Sequence, residues 1–370
     1  MVINLHKHKI DYSILIVVCF LVIFGLLMVY SASNIVAKYK YDDGFYFFKR
    51  QLIFAIIGFF SMILIINIDI TKIYKYTTLI YMVSFILLIL VLIPGIGKVR
   101  GGARSWIGIG AFSIQPSEFM KLASILLVAK YLSIYHKQLN NTWIYIRILL
   151  IIIMSFGFIM LQPDFGTGLV LLLSNILLLF NAGGKIKYFL FLIILGLVGI
   201  VILILSAPYR LTRIFAFLDP WSDPLGSGFQ GIQALFAIAP SGLFGLGFNN
   251  SMQKHFFLPE PQNDFIFAII CEEFGLIGGL FIIACFFFII YKIINISLNV
   301  DNIYLKLLAI GIGLSIFVQV FINIGVVIGL LPVTGITLPI ISYGGSSLLL
   351  TLMFLGIVIN ISQYTEEGIK

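Results

Sequence analysis

Runs of apolar residues, each close to the length of a membrane-spanning helix, follow one another along nearly the whole chain. Crossing the hydrocarbon core takes about 20 mostly apolar residues in a helix. Such runs fall at 12–32, 51–67, 74–93, 116–134, 143–161, 166–181, 187–205, 263–291, 304–330 and 340–361. Only helices and closed barrels satisfy their backbone polar groups in lipid, and runs this long suit helices. Composition agrees: 61% of the 370 residues are hydrophobic and 10% are charged, against about 25% charged in soluble domains. The expected fold is therefore an all-α polytopic membrane protein of about ten transmembrane helices, forming a single domain over 1–370.

The first run follows His6-Lys7-His8-Lys9 and ends near Ser31-Ala32-Ser33. It exceeds the 7–15 residues of a usual signal-peptide core, so an uncleaved first span is expected. The net charge of +8 has no contiguous basic run behind it, which sets nucleic acid aside. Lysines and arginines instead fall in loops, where anionic headgroups attract them. With the N-terminus inside, the inner loops collect Lys72, Lys75, Lys130, Lys137, Lys185, Lys187, Lys292 and Lys306. Both termini are then expected in the cytoplasm. The three cysteines and four histidines show no metal-ligand spacing.

One connection differs from the rest. Residues 206–262 form a large extracytoplasmic loop between the seventh and eighth spans, holding Arg210, Arg213, Asp219, Asp223, Gln230, Lys254, His255 and Glu260. Loops this long are usually functional or disordered, and its Phe, Leu and Trp content argues against disorder. Gly95-Ile96-Gly97 and Gly101-Gly102-Ala103-Arg104 follow no predicted strand and match no phosphate-binding loop.

Ionisable groups at span edges are functional hypotheses. Glu118 and Lys121, three apart, share a helix face; they either orient two helices or line an outward-facing polar cavity. Asp164, after Pro163, is either a helix cap or a catalytic carboxylate. Asp264 opens the eighth span, with Glu272 about 12 Å along the same stripe at 1.5 Å per residue. It is either a partner of the helix dipole or a partly desolvated carboxylate able to act as a general base. Arg210 and Arg213 suit a pyrophosphate or a lipid headgroup. Pro339-Ile340-Ile341-Ser342-Tyr343-Gly344-Gly345-Ser346-Ser347 interrupts the last span. With Gln319 and Asn323 it suggests a pocket at membrane depth, where irregular backbone must be buried or line a cavity.

Several of these segments resemble one family. Arg104-Ser105-Trp106, Gln115-Pro116-Ser117-Glu118-Phe119-Met120-Lys121, and Gln162-Pro163-Asp164-Phe165-Gly166-Thr167 are similar to the SEDS proteins of shape, elongation, division and sporulation. So are Phe257-Leu258-Pro259-Glu260, Asp264-Phe265-Ile266-Phe267-Ala268, Glu272-Glu273 and the Pro339–Ser347 segment. Pro208-Tyr209-Arg210-Leu211-Thr212-Arg213, Asp219-Pro220-Trp221, Gly226-Ser227-Gly228-Phe229-Gln230 and Ser251-Met252-Gln253-Lys254 resemble the division and sporulation branch more than the elongation branch. Pro261-Gln262-Asn263 before Asp264 is closer to the sporulation form.

The resemblance implies a peptidoglycan glycosyltransferase acting on lipid II, the undecaprenyl-pyrophosphate disaccharide-pentapeptide. It also implies a class B penicillin-binding transpeptidase partner, beside other divisome or sporulation membrane proteins. Asp264 matches the family's essential aspartate and is the expected catalytic base. Arg104, Arg210, Arg213, Lys254, Gln230 and Glu260 are the expected substrate-binding residues. Glu118, Lys121, Glu272, Ser342 and Ser346 are expected to line or support the cavity. No cofactor or metal is required, although a divalent cation on the pyrophosphate is compatible. The competing expectations are a lipid II flippase and a scaffold for a transpeptidase.

Overall fold

A computed structural model of the chain describes residues 10–100, 102–109, 112–139, 141–184, 187–188, 196, 199 and 208–365. Long helices dominate: α1 (Tyr12–Tyr41), α2 (Tyr46–Asn67), α3 (Ile70–Leu90), α4 (Pro116–Tyr135), α5 (Thr142–Met160) and α6 (Phe165–Asn181). After the large loop come α9 (Ile266–Leu298), α10 (Ile303–Val327) and α11 (Gly345–Ser362). Each expected span has its helix except 187–205, most of which lies outside the described residues. Seven described helices are long and apolar enough to cross a membrane, and the protein is a multi-pass membrane protein. Of the others, α4 carries Glu118, Lys121 and Lys130, and α6 is 17 residues long.

Local chemistry sets the helix starts. Asp11, Asp69, Asn141, Asp164 and Asn302 each accept a backbone N–H of the first turn, the usual service of an N-cap side chain. Burial then sorts the helices. α10 and α11 are buried along most of their lengths, whereas α2 and α3 turn Ile56, Phe60, Leu79 and Ile86 outward.

Three features depart from the expected layout. First, Gly97–Arg100 (β1), Ala103–Ile109 (β2) and Phe112–Ile114 (β3) form an antiparallel sheet in the order β1-β2-β3. No strand was expected there. Arg100 pairs with Ala103, and Gly102 takes a φ of 82° in the two-residue turn, a conformation that favours glycine.

Second, the last helix begins at Gly345, not 340, and 331–344 contains neither helix nor strand. This segment reaches deep into the bundle. Gly25, near the middle of α1, faces it so closely that a Cβ would lie 2.9 Å from the Ile341 Cα. Only a glycine leaves room for that approach.

Third, α9 is broken at Gly275, whose φ is 68°. A segment of the large loop enters the break. Leu246 and Gly247 donate their N–H groups to the carbonyls of Glu272 and Glu273, both at 2.9 Å. In return, the N–H groups of Leu276 and Ile277 donate to the Gly242 and Leu243 carbonyls at 3.0 and 3.2 Å. The loop thus supplies partners for the groups that the broken helix leaves open, as a non-aqueous setting demands. The rest of the described loop is also ordered, with α7 (Pro208–Leu218) and α8 (Phe229–Ile238) and single 3-10 turns at Pro220–Ser222 and Ala239–Ser241.

Candidate active site

Asp264 lies in a turn two residues before the first residue of α9. Glu260 bends the approach with a φ of 47°, and Asn263 closes the turn by donating its Nδ2 to the Glu260 carboxylate at 2.7 Å. Phe265, Ile266 and Phe267 behind it are buried, while Asp264 is half-buried and Glu260 exposed. The apolar residues hold the turn down and leave Asp264 half-buried. Its main chain is tied on two sides. Asn323 of α10 donates Nδ2 to the Asp264 carbonyl at 2.8 Å, and Tyr343 donates its N–H to the Gln262 carbonyl at 2.8 Å.

The irregular segment before α11 is held by buried polar side chains. Gln51 of α2 donates to the Ser342 carbonyl at 2.9 Å and accepts from the Gly344 N–H at 3.2 Å. Ser342 Oγ accepts from the Leu338 N–H at 2.8 Å, fixing a turn, and Ser346 Oγ accepts from the Gln115 N–H at 3.1 Å. Both expected serines therefore act on backbone. Gln319 donates to the Thr337 carbonyl at 3.0 Å.

Glu118 and Lys121 pair at 2.9 Å with both side chains buried, and Lys121 Nζ also donates to Gln319 Oε1 at 2.8 Å. Asp164 caps α6 and also accepts from Gln115 Nε2 at 2.7 Å and Ser117 Oγ at 2.9 Å. It therefore joins the starts of α4 and α6, more than capping alone would do. The ion pair, Asp164, the re-entrant backbone and the Asp264 turn all meet at the end of the bundle that carries the large loop.

Lys254 has a different setting from that expected of a pyrophosphate ligand. Its side chain is 2% exposed. The ammonium donates to both the backbone and side-chain oxygens of Asn249 at 2.6 Å and lies 3.5 Å from Glu273 Oε1. An ammonium has three N–H donors, and these partners engage them. Burial pushes its pKa down, against the pull of Glu273 and Glu272. Glu272 likewise serves the loop: it accepts from Ser251 Oγ and from the Met252 and Gln253 N–H groups at 2.8 and 3.3 Å. Ser31 of α1 donates to Glu273. The glutamate pair and Lys254 thus fasten residues 249–254 to α1 and α9. The sequence hinted at this only through Ser31 at the end of the apolar first span.

The other expected residues are more dispersed. Arg104, on β2, donates to the Leu92 carbonyl at 3.3 Å. Gln230, on α8, lines a cavity of about 130 Å³ with Phe217 of α7, Leu235 of α8, Val326 of α10 and Leu331. Arg210 and Arg213 lie three residues apart on α7, with side chains outside the described part. Among the described residues, no three His, Cys, Asp or Glu side chains gather as metal ligands.

The arrangement has known counterparts. A family model described as cell cycle protein matches residues 11–367. Stage V sporulation protein E of Bacillus subtilis is 53% identical over 359 residues, covering 96% of this chain and 98% of that protein. A probable peptidoglycan glycosyltransferase FtsW of Coxiella burnetii is 40% identical, covering 96% and 98%. Among solved structures, a chain of a peptidoglycan synthase complex that coordinates polymerization and crosslinking superposes with a TM-score of 0.80 at 28% identity, covering 96% of this chain and 98% of that one. The rod shape determining protein RodA of Thermus thermophilus gives 0.70 at 25% identity, covering 97% and 98%. Matched over almost its full length by sequence and by fold, the chain belongs to the FtsW/RodA/SpoVE family of cell cycle proteins.

Proposed function

We propose that this chain is a peptidoglycan glycosyltransferase that polymerises lipid II on the outer face of the cytoplasmic membrane, with both termini inside. The observation that carries the reading is half-buried Asp264, in a turn backed by buried phenylalanines and tied to α10 and the re-entrant segment. Relatives named as glycosyltransferases support the reaction. The complex of polymerization and crosslinking supports a class B transpeptidase partner. The identity with a sporulation protein supports a place in spore or septal wall synthesis, beside other membrane proteins of that machinery.

In this reading the acceptor sugar's 4-hydroxyl gives its proton to Asp264 as its oxygen bonds to the donor's anomeric carbon. The bond from that carbon to the pyrophosphate breaks, and the electron pair leaves with the lipid pyrophosphate. One displacement inverts the anomeric centre. The leaving group is good, so the protein's task is to offset its charge in a site of low dielectric. Arg210 and Arg213 on α7, with Arg104 on β2, are the proposed cations, and Gln230 and Glu260 the proposed contacts to the rest of the substrate. Lys254 and Glu272 contribute by holding the loop. A divalent cation on the pyrophosphate is compatible, and no step depends on it.

The broken α9 and the re-entrant segment favour a second reading, a lipid II flippase. Transporters of that kind place such breaks at matching points of two repeats, whereas both of these fall in the second half of the chain. One experiment separates the readings. Protein purified with its transpeptidase partner is given lipid II, and glycan length is scored. Asp264→Asn should reduce polymerisation by at least about 10²-fold, within the usual range for a general base, while partner capture persists. A loss below about tenfold would remove the base, and lipid II movement without any polymer would favour transport.

A further inference from the structure

Two buried amides stand one turn apart on α10, Gln319 and Asn323, and so share a face. They grip consecutive carbonyls of the re-entrant segment: Gln319 Nε2 donates to Thr337 O at 3.0 Å, and Asn323 Nδ2 to Ile336 O at 2.7 Å. Asn323 Nδ2 has a second bond, to the carbonyl of Asp264 at 2.8 Å. Both of its acceptors are carbonyl oxygens, so the orientation of the amide is settled by its partners. The amide oxygen Oδ1, by contrast, is buried without a partner. A buried polar atom in that state is unfavourable, and an apolar side chain would avoid it.

We propose that Asn323 is a positioning residue for the Asp264 carboxylate. The argument rests on the reading of Asp264 as the base. Asp264 precedes α9, so its peptide is not held by the regular bonds of a helix interior. A single side-chain nitrogen joins that peptide to the re-entrant backbone at Ile336, and α10 supplies the rigid mount. Gln319 fixes the neighbouring carbonyl and is itself bound by Lys121 of the buried ion pair. The carboxylate is thereby registered against the wall formed by 336–337, and a shift of about 1 Å at a reacting group is enough to cost roughly 10²-fold in rate. Asn323 bonds to backbone, not to the substrate, so its loss should act on turnover and leave binding alone.

The test is steady-state kinetics with lipid II on the purified complex with the transpeptidase. Asn323→Leu, close in size and without a donor, should lower kcat by about 10- to 100-fold while KM stays within about threefold, because a misplaced base still binds substrate. The protein should stay folded and capture the transpeptidase, with a thermal midpoint in detergent lowered only by the two carbonyls left without a donor. Asn323→Gln, which keeps an N–H donor, should recover most of the lost kcat. The proposal is overturned if Asn323→Leu stays within twofold in kcat, if KM rises as far as kcat falls, or if Asn323→Gln recovers nothing. Should Asn323→Leu fail to fold, Asn323→Asp is judged by the same kcat and KM limits. If neither folds, the residue is structural and the proposal fails. Asp264→Asn measured beside them separates the two ideas. Polymerisation that survives Asp264→Asn defeats the base, whereas an inactive Asp264→Asn with a fully active Asn323→Leu defeats the positioning alone.

Discussion

Lys254, Glu272 and Glu273 form a buried charge cluster of one ammonium and two carboxylates, 0–2% exposed. Taking charges out of water is costly, and a buried pair is weak evidence of net stability. Removing one member is worse, because it strands the other. Lys254→Met should therefore destabilise the folded protein by about 3–5 kcal/mol, read as a lower thermal midpoint in detergent. Adding Glu273→Gln to Lys254→Met should restore much of that loss, because the stranded carboxylate is then neutral. Independent effects in the double variant would show that the two side chains do not act as a pair. The same cluster holds residues 249–254 against Ser31 and α9.

Among the elements, α9 depends for its integrity on a segment of the large loop. Its break at Gly275 is closed by four backbone hydrogen bonds from residues 242–247, so the loop and the helix that follows Asp264 are joined by main chain. A side chain cannot be added at this point. A Cβ on Gly275 would overlap the Leu243 carbonyl oxygen, and its φ of 68° with ψ of −166° is a conformation essentially confined to glycine, costing another residue roughly 1–3 kcal/mol. Gly275→Ala should therefore release the clamp, expose the loop to limited proteolysis and lower polymerisation at least about tenfold. Gly157→Ala on α5, where a Cβ meets nothing within 4 Å, is the matched control. If both variants resist protease equally, the loop is anchored by its side chains alone.

For the whole molecule, two ends of the bundle carry different chemistry. Asp11 receives a bond from Lys292 at 3.2 Å, and its N–H donates to Ser362 at 3.2 Å. The start of α1, the far end of α9 and the end of α11 therefore meet at one end, opposite the loop and the polar belt. An outer-face polymerase requires the belt to face outward. A cysteine placed at exposed Ser222 should react with a membrane-impermeant maleimide in intact cells. One placed at Asn302 should react only after lysis, in a background without the three native cysteines. The reverse pattern would invert the topology and exclude polymerisation at the outer face.

The amino-acid sequence by itself determined the class of protein and most of its long helices. Hydropathy over about 20 residues, an acidic or amide cap and a proline-bounded turn are properties of neighbouring residues, and each is legible locally. The three-stranded sheet was missed, because its short strands give a weak signal beside so many apolar runs. Only the tertiary structure decided what the polar side chains do. Lys254 meets Ser31 across 223 positions, Lys121 meets Gln319 across 198, and Asn323 meets Asp264 across 59. Inside a bundle from which water is excluded, an unpaired buried donor or acceptor is costly, so most pair wherever the packing provides a partner. Pairing over such separations follows from how the helices pack, and no local pattern of residues encodes it.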